Sequence, residues 1–107
     1  MSKYLIKASY SPEGMKGVMA KGGSARAAAI EKLVSGVGGK MESFHFAFGT
    51  DDVYIVVDAP SPEAMAAVAG TVTSTGVLSS YETVVLLTAD QIDAAAGLSV
   101  DYTPPGG

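Results

Sequence analysis

Residues 40–58 read Lys-Met-Glu-Ser-Phe-His-Phe-Ala-Phe-Gly-Thr-Asp-Asp-Val-Tyr-Ile-Val-Val-Asp, and the fold turns on them. Apolar residues alternate on both sides of Gly49-Thr50-Asp51, so Lys40–Phe48 and Asp52–Asp58 predict two strands joined as a hairpin. On either side of the hairpin lies a strand pattern coupled to a helix signal. Upstream, Lys3–Tyr10 mixes aromatic and branched residues in near alternation, then Ser11-Pro12-Glu13 supplies an N-cap, a proline for the first turn and an early acid. Downstream, Ser61-Pro62-Glu63 repeats that signal before an alanine-rich helix to about Thr73–Ser74, and Val77–Leu87 reads as a further strand.

The order is therefore β-α-β-β-α-β, the split βαβ arrangement of ferredoxin-like α+β folds with an antiparallel four-stranded sheet. Thr88-Ala89-Asp90-Gln91 has the form of a capping box and predicts a short C-terminal helix ending at Gly97. The expected domain spans residues 1–98, with 99–107 an extended tail. Gly22-Gly23 interrupts the first helix, Ser24 is placed to cap its second segment, and Gly36, Gly38 and Gly39 end it.

Composition narrows the function classes. The chain has 107 residues, a net charge of −4 and no cysteine, which excludes disulfides, thiolate nucleophiles and cysteine-based metal sites. No segment approaches the roughly 20 apolar residues of a membrane span, and the N-terminus lacks the hydrophobic stretch of a signal peptide. The sequence predicts a soluble cytoplasmic protein, without membrane or nucleic-acid partners. Charge is split: all seven Lys and Arg fall in residues 1–40, and eight of the eleven acids follow residue 50. An acidic chain is poorly suited to neutralising phosphates.

Alternation assigns two faces to the sheet. Tyr4, Ile6, Ala8, Phe44, Phe46, Phe48, Val53, Ile55 and Val57 are expected beneath the helices. The other face collects Lys3, Leu5, Lys7, Ser9, Ser43, His45, Ala47, Asp52, Tyr54, Val56 and Asp58, with Lys3 and Lys7 brought towards Asp52 and Asp58. That face is too apolar to be left wet and too polar for an ordinary core, so a second copy is expected to cover it and leave a polar-lined cavity.

His45 is the one side chain whose ordinary pKa lies near neutrality. With Lys7 and Tyr54 it forms a candidate acid–base or ligand-anchoring group; the plainer reading is a strand histidine with one hydrogen bond. Asp52 is a further candidate, as ligand contact or as a cap for the hairpin backbone. Lys16, Gly17, Lys21, Gly22, Gly23, Ser24 and Arg26 form a basic, glycine-interrupted stretch able to hold an anion, with Arg26 a bidentate donor. Its plainer reading is a helix kink with solvated bases. One histidine and no cysteine fall short of a zinc set, and no calcium-loop, Walker or dinucleotide spacing occurs, so no metal or cofactor is expected.

Several of these segments together resemble the GYD domain family, over about residues 3–90: Lys3–Tyr10, Glu13-Gly14-Met15-Lys16-Gly17, Ser24-Ala25-Arg26, Gly38-Gly39 and Phe48-Gly49-Thr50-Asp51-Asp52. Gly49 and Asp52 match the family's Gly and Asp, whereas Asp51 stands where its Tyr is usual. No Arg occurs between Val77 and Leu87, where the family often has one. The resemblance implies a subunit paired through its sheet as a dimeric α+β barrel, a form shared with cofactor-free monooxygenases and small-molecule isomerases. The expected function is a homo-oligomeric domain binding a small organic molecule, between sheet and helices or between subunits, with Lys7, Arg26, His45, Asp52 and Tyr54 as candidate contacts. The alternatives are an oxygenase- or isomerase-like enzyme and a purely structural assembly module.

Overall fold

The computed structural model describes residues 1–107. In chain order the elements are β1 (Ser2–Tyr10), α1 (Pro12–Lys21), α2 (Gly23–Gly36), β2 (Lys40–Phe46), β3 (Val53–Ala59), α3 (Pro62–Thr73), β4 (Leu78–Leu86) and α4 (Ala89–Ala96). The sheet runs β2-β3-β1-β4 with every neighbouring pair antiparallel, the ferredoxin-like order. β1 sits at the centre, and Ile6 faces Ile55 on one side and Thr83 on the other.

Alternation places the core where the sequence put it. Tyr4, Ile6, Ala8 and Tyr10 of β1 and Val53, Ile55, Val57 and Ala59 of β3 are all buried, against Ile30 and Val34 of α2 and Met65 of α3. Each of the larger aliphatic side chains contributes about 1.5–3 kcal/mol by leaving water. Phe44 and Phe46 share this side and meet edge to face, 5.1 Å between centroids, but β2 is an edge strand and covers them less than expected: Phe44 is half-buried against the core and Phe46 is 40% exposed. Phe48 does not share this side: β2 ends at Phe46, the chain leaves the sheet, and Phe48 stands fully exposed.

The first helical connection breaks as the glycines suggest, but the cap differs. α2 begins at Gly23 with Gly22 as its N-cap and no side-chain cap, so Ser24 lies inside the first turn. Gly22 has φ 94° and ψ 158°, a region essentially closed to residues with a Cβ. α3 runs unbroken and buries Met65, Val68 and Val72 along one stripe.

No side chain on the sheet's outer face is fully buried. Lys3 bridges Glu42 and Asp58, the latter at 3.4 Å. Lys7 pairs with Asp51 at 3.7 Å rather than with Asp52. Asp52 is turned away, its carboxylate accepting the Tyr10 N–H at 2.9 Å. The Asp58 carboxyl is held below its usual value by the hydrogen bonding it shares with Glu42 and by the charges of Lys3 and Lys40. Lys3 is held above its own, chiefly by its hydrogen bond to Glu42.

Beyond β4 the chain leaves the body. The capping box forms, with Thr88 N–H donating to Gln91 at 2.8 Å and Gln91 N–H to Thr88 at 3.1 Å. Yet α4 buries no residue. The radius of gyration is 17.0 Å, against about 13 Å for a compact chain of this length.

Candidate functional site

A cavity of about 440 Å³ opens between α1 and α2 at the end of the sheet where β1 finishes and β4 begins. Sequence and geometry combine to create it. Ser11 N–H donates to Val77 O at 2.9 Å and its hydroxyl donates to Gly76 O at 2.9 Å, pinning the start of α1 to the chain entering β4. A Cβ on Gly14 would lie 2.0 Å from the Val77 carbonyl oxygen, so only glycine permits this approach. α1 then runs with Gly14 as its sole buried residue, and the break at Gly22 lets α2 diverge from it. Val18, Ala25, Ala29 and Val77 supply apolar wall, and Tyr10, Lys21 and Arg26 supply the polar groups.

Arg26 is fixed by β1. Its Nε donates to the Tyr10 hydroxyl at 3.2 Å, and the guanidinium carbon lies 5.4 Å from the Tyr10 ring centroid, a cation–π distance. Tyr10 thereby occupies one N–H of the five in the guanidinium fork. Neither Arg26 nor Lys21 has a carboxylate within 4 Å, since the bases in ion pairs are Lys3, Lys7 and Lys16. Glu13 at the rim is engaged by Lys16 at 3.6 Å. The cavity therefore presents an unspent, half-buried cationic group over an aromatic ring.

Tyr10 and Arg26 also border a second, much smaller gap of about 20 Å³ in the core, walled by Ile6, Ile55, Val72 and Tyr81 among others. The Tyr81 hydroxyl is buried without a hydrogen-bond partner. Burial raises its pKa above the ordinary tyrosine value, with nearby Thr83 tempering the shift.

The sequence-derived candidates divide between the two sides of the sheet. Arg26 lines the α1–α2 cavity. Lys7, Tyr54 and His45 form a row across the outer face, Lys7 opposite Tyr54 and Tyr54 opposite His45, with Glu82 continuing it on β4. Asp52 joins neither group, being committed to the Tyr10 backbone. Gly49 has no positive φ and open space around its Cβ position, so the turn makes no demand for glycine there.

Tyr10, Gly14 and Val77 escaped the sequence reading. A signal for Tyr10 was present, because continuing the Tyr4, Ile6, Ala8 alternation puts its ring beneath a helix that offers glycine at positions 14 and 17.

A four-stranded antiparallel sheet in the order β2-β3-β1-β4, with helices packed on one face, defines a ferredoxin-like α+β domain. More narrowly, the GYD domain family model matches residues 4–96, and the chain belongs to that family. No curated protein and no solved structure matches it. No helix is long and apolar enough to cross a membrane.

Proposed function

We propose that this GYD domain binds a small organic anion, apolar body inward, in the α1–α2 cavity, and works as a homo-oligomer whose outer sheet faces pair. One observation carries the binding reading: Arg26, half-buried and without an acidic partner, is held over Tyr10 in a largely apolar cavity of about 440 Å³. That volume suits a compact ligand, and a guanidinium fork matches a carboxylate bidentately. Lys21 at the mouth adds a second, freer charge that draws anions in.

The test is a calorimetric titration with a panel of aromatic and branched aliphatic monocarboxylates and their uncharged amides, on the native chain and on Arg26→Gln. The carboxylates are expected to bind, with affinity falling at least tenfold in the variant and for the amides. Equal binding to Arg26→Gln, or an empty panel, would overturn the reading and leave an assembly module as the better account.

The row Lys7–Tyr54–His45 favours a second reading, a cofactor-independent oxygenase- or isomerase-like enzyme working from the outer face. A second copy over that face would exclude water and turn the row into a cavity wall. Turnover lost in His45→Ala but kept in Arg26→Gln would select this reading over the first.

A further inference from the structure

We infer that the ligand of the α1–α2 cavity is a carboxylate with a second, uncharged oxygen, a hydroxy- or oxo-acid, whose far end passes the Tyr10–Arg26 pair and hydrogen-bonds the buried Tyr81 hydroxyl. The inference rests on the carboxylate reading of that cavity and names the class of acid within it.

The gap beyond the pair has a cause in the sequence. On the core face of β1, Ala8 stands between Ile6 and Tyr10, opposite Val53 of β3 and Tyr81 of β4. A single methyl in a row of larger side chains leaves space, and about 20 Å³ of it is open, with Ala8 and Tyr81 both in its wall. One water needs about 10–15 Å³ of such room. The gap therefore takes one oxygen or one methyl and not a ring, so a ligand's body stays in the large cavity and only its tip enters.

The chemistry of the wall selects that tip. Tyr10, Arg26 and Tyr81 are its polar side chains, and every other residue lining it is Ala, Val, Leu or Ile. Tyr10 and Arg26 are bonded to each other. The Tyr81 hydroxyl is sealed from solvent and has no partner; Thr83, two residues along β4, lies near it without making a hydrogen bond. A buried hydroxyl left unpaired is costly, whereas phenylalanine would fill the same space without that cost. A ligand oxygen supplies the missing partner. Among aliphatic side chains a second carboxylate would lose its hydration without replacement, which favours a hydroxyl or a carbonyl.

Position joins the two spaces. Tyr10 and Arg26 line both, so the pair is the partition between the cavity and the gap. One hydrogen bond of 3.2 Å from Arg26 Nε holds it, leaving the outer guanidinium N–H groups for a carboxylate. An acid gripped there has the rest of its length beside the gap.

The test is calorimetric titration with matched acids: pentanoate against levulinate, phenylacetate against para-hydroxyphenylacetate, and phenylpropionate against para-hydroxyphenylpropionate. In the native chain at least one oxygen-bearing acid is expected to bind about tenfold tighter than its plain partner, the worth of one buried hydrogen bond. In Tyr81→Phe that preference disappears, while the plain acid keeps its native affinity and the unliganded variant melts no lower than the native chain. Arg26→Gln weakens both members of the pair alike. With carbon-13 in the tyrosine rings, the resonance absent from Tyr81→Phe shifts on adding the oxygen-bearing acid and not on adding the plain one.

Plain acids that bind as well as their oxygen-bearing partners sink the inference and leave the carboxylate reading standing, with the hydroxyl served by water alone. A preference that persists in Tyr81→Phe sinks it too. If none of the six acids binds the native chain, both the reading and the inference fall.

Discussion

The two βαβ halves begin alike and end differently. Ser11 and Ser61 each accept the N–H three residues on, from Gly14 at 3.1 Å and from Ala64 at 3.2 Å, and each is followed by proline and an acid. From there α3 is continuous, carries no base and buries three apolar residues, whereas α1 buries only Gly14, breaks at Gly22 and leads into basic α2. The topology is the same in both, yet only the first half opens the large cavity. The site is thus a product of withheld apolar anchors and a helix break rather than of the fold itself.

Matched substitutions in the two halves sharpen this contrast. Met15 and Met65 both lie four residues after the capping serine, but only Met65 is buried, at 3% exposure. Met65→Ala is expected to cost about 2–5 kcal/mol, and Met15→Ala less than half as much, read as urea midpoints. Equal losses would mean that α1 anchors the core as α3 does. Gly14 and Ala64 are the next matched pair. Gly14→Ala forces a methyl onto the Val77 carbonyl and should cost about 3 kcal/mol, the upper part of the overpacking range. Ala64→Gly costs only about 0.5–1 kcal/mol, the loss for glycine in a helix.

The capping serines divide by a smaller margin. Ser61→Ala removes one cap, about 1 kcal/mol, while Ser11→Ala also frees the Gly76 carbonyl and should cost about 2 kcal/mol. Thermal unfolding of the pair measures the difference. Smallest is Tyr81, which borders the minor gap. Its pKa is raised by burial, so the folded state favours the neutral phenol. Stability is therefore unaffected by this group below the unfolded value near 10, and declines as pH rises beyond it. Tyr81→Phe removes the orphaned hydroxyl, should gain about 1 kcal/mol, and flattens the alkaline decline measured between pH 9 and 11 in denaturant titrations, a window set by the ordinary tyrosine pKa of about 10.

Much of this was legible in the sequence because its causes are local. Period-two alternation in β1 and β3, the paired Ser-Pro-Glu signals and the Thr88 capping box act within a few residues of where they are read. What escaped depends on contacts between distant segments. Asp52, not Asp51, was expected near Lys7, but Tyr10 N–H captures the Asp52 carboxylate and leaves Asp51 to the lysine. Phe48 fits the alternation of β2, yet the pairing with β3 stops at Phe46 opposite Val53. Ser24 has the chemistry of a cap, but Gly22 reaches a backbone region that moves the helix start ahead of it. The cavity rests on Gly14 meeting Val77, a contact no short-range pattern announces.

The central position of β1 carries a consequence for how the chain acquires its structure. β1 pairs with β3 and β4 and not with β2, so residues 1–50 contain two strands and no ladder between them. A nascent chain of that length can form its helices but cannot begin the sheet. The first-made strand waits, apolar side outward, until β3 emerges, and its other edge stays open until β4 is complete. Folding should therefore be late and cooperative, limited by closure of the loop between Tyr10 and Leu78. A ribosome stalled before residue 78 would hold a chain with its central strand still half paired.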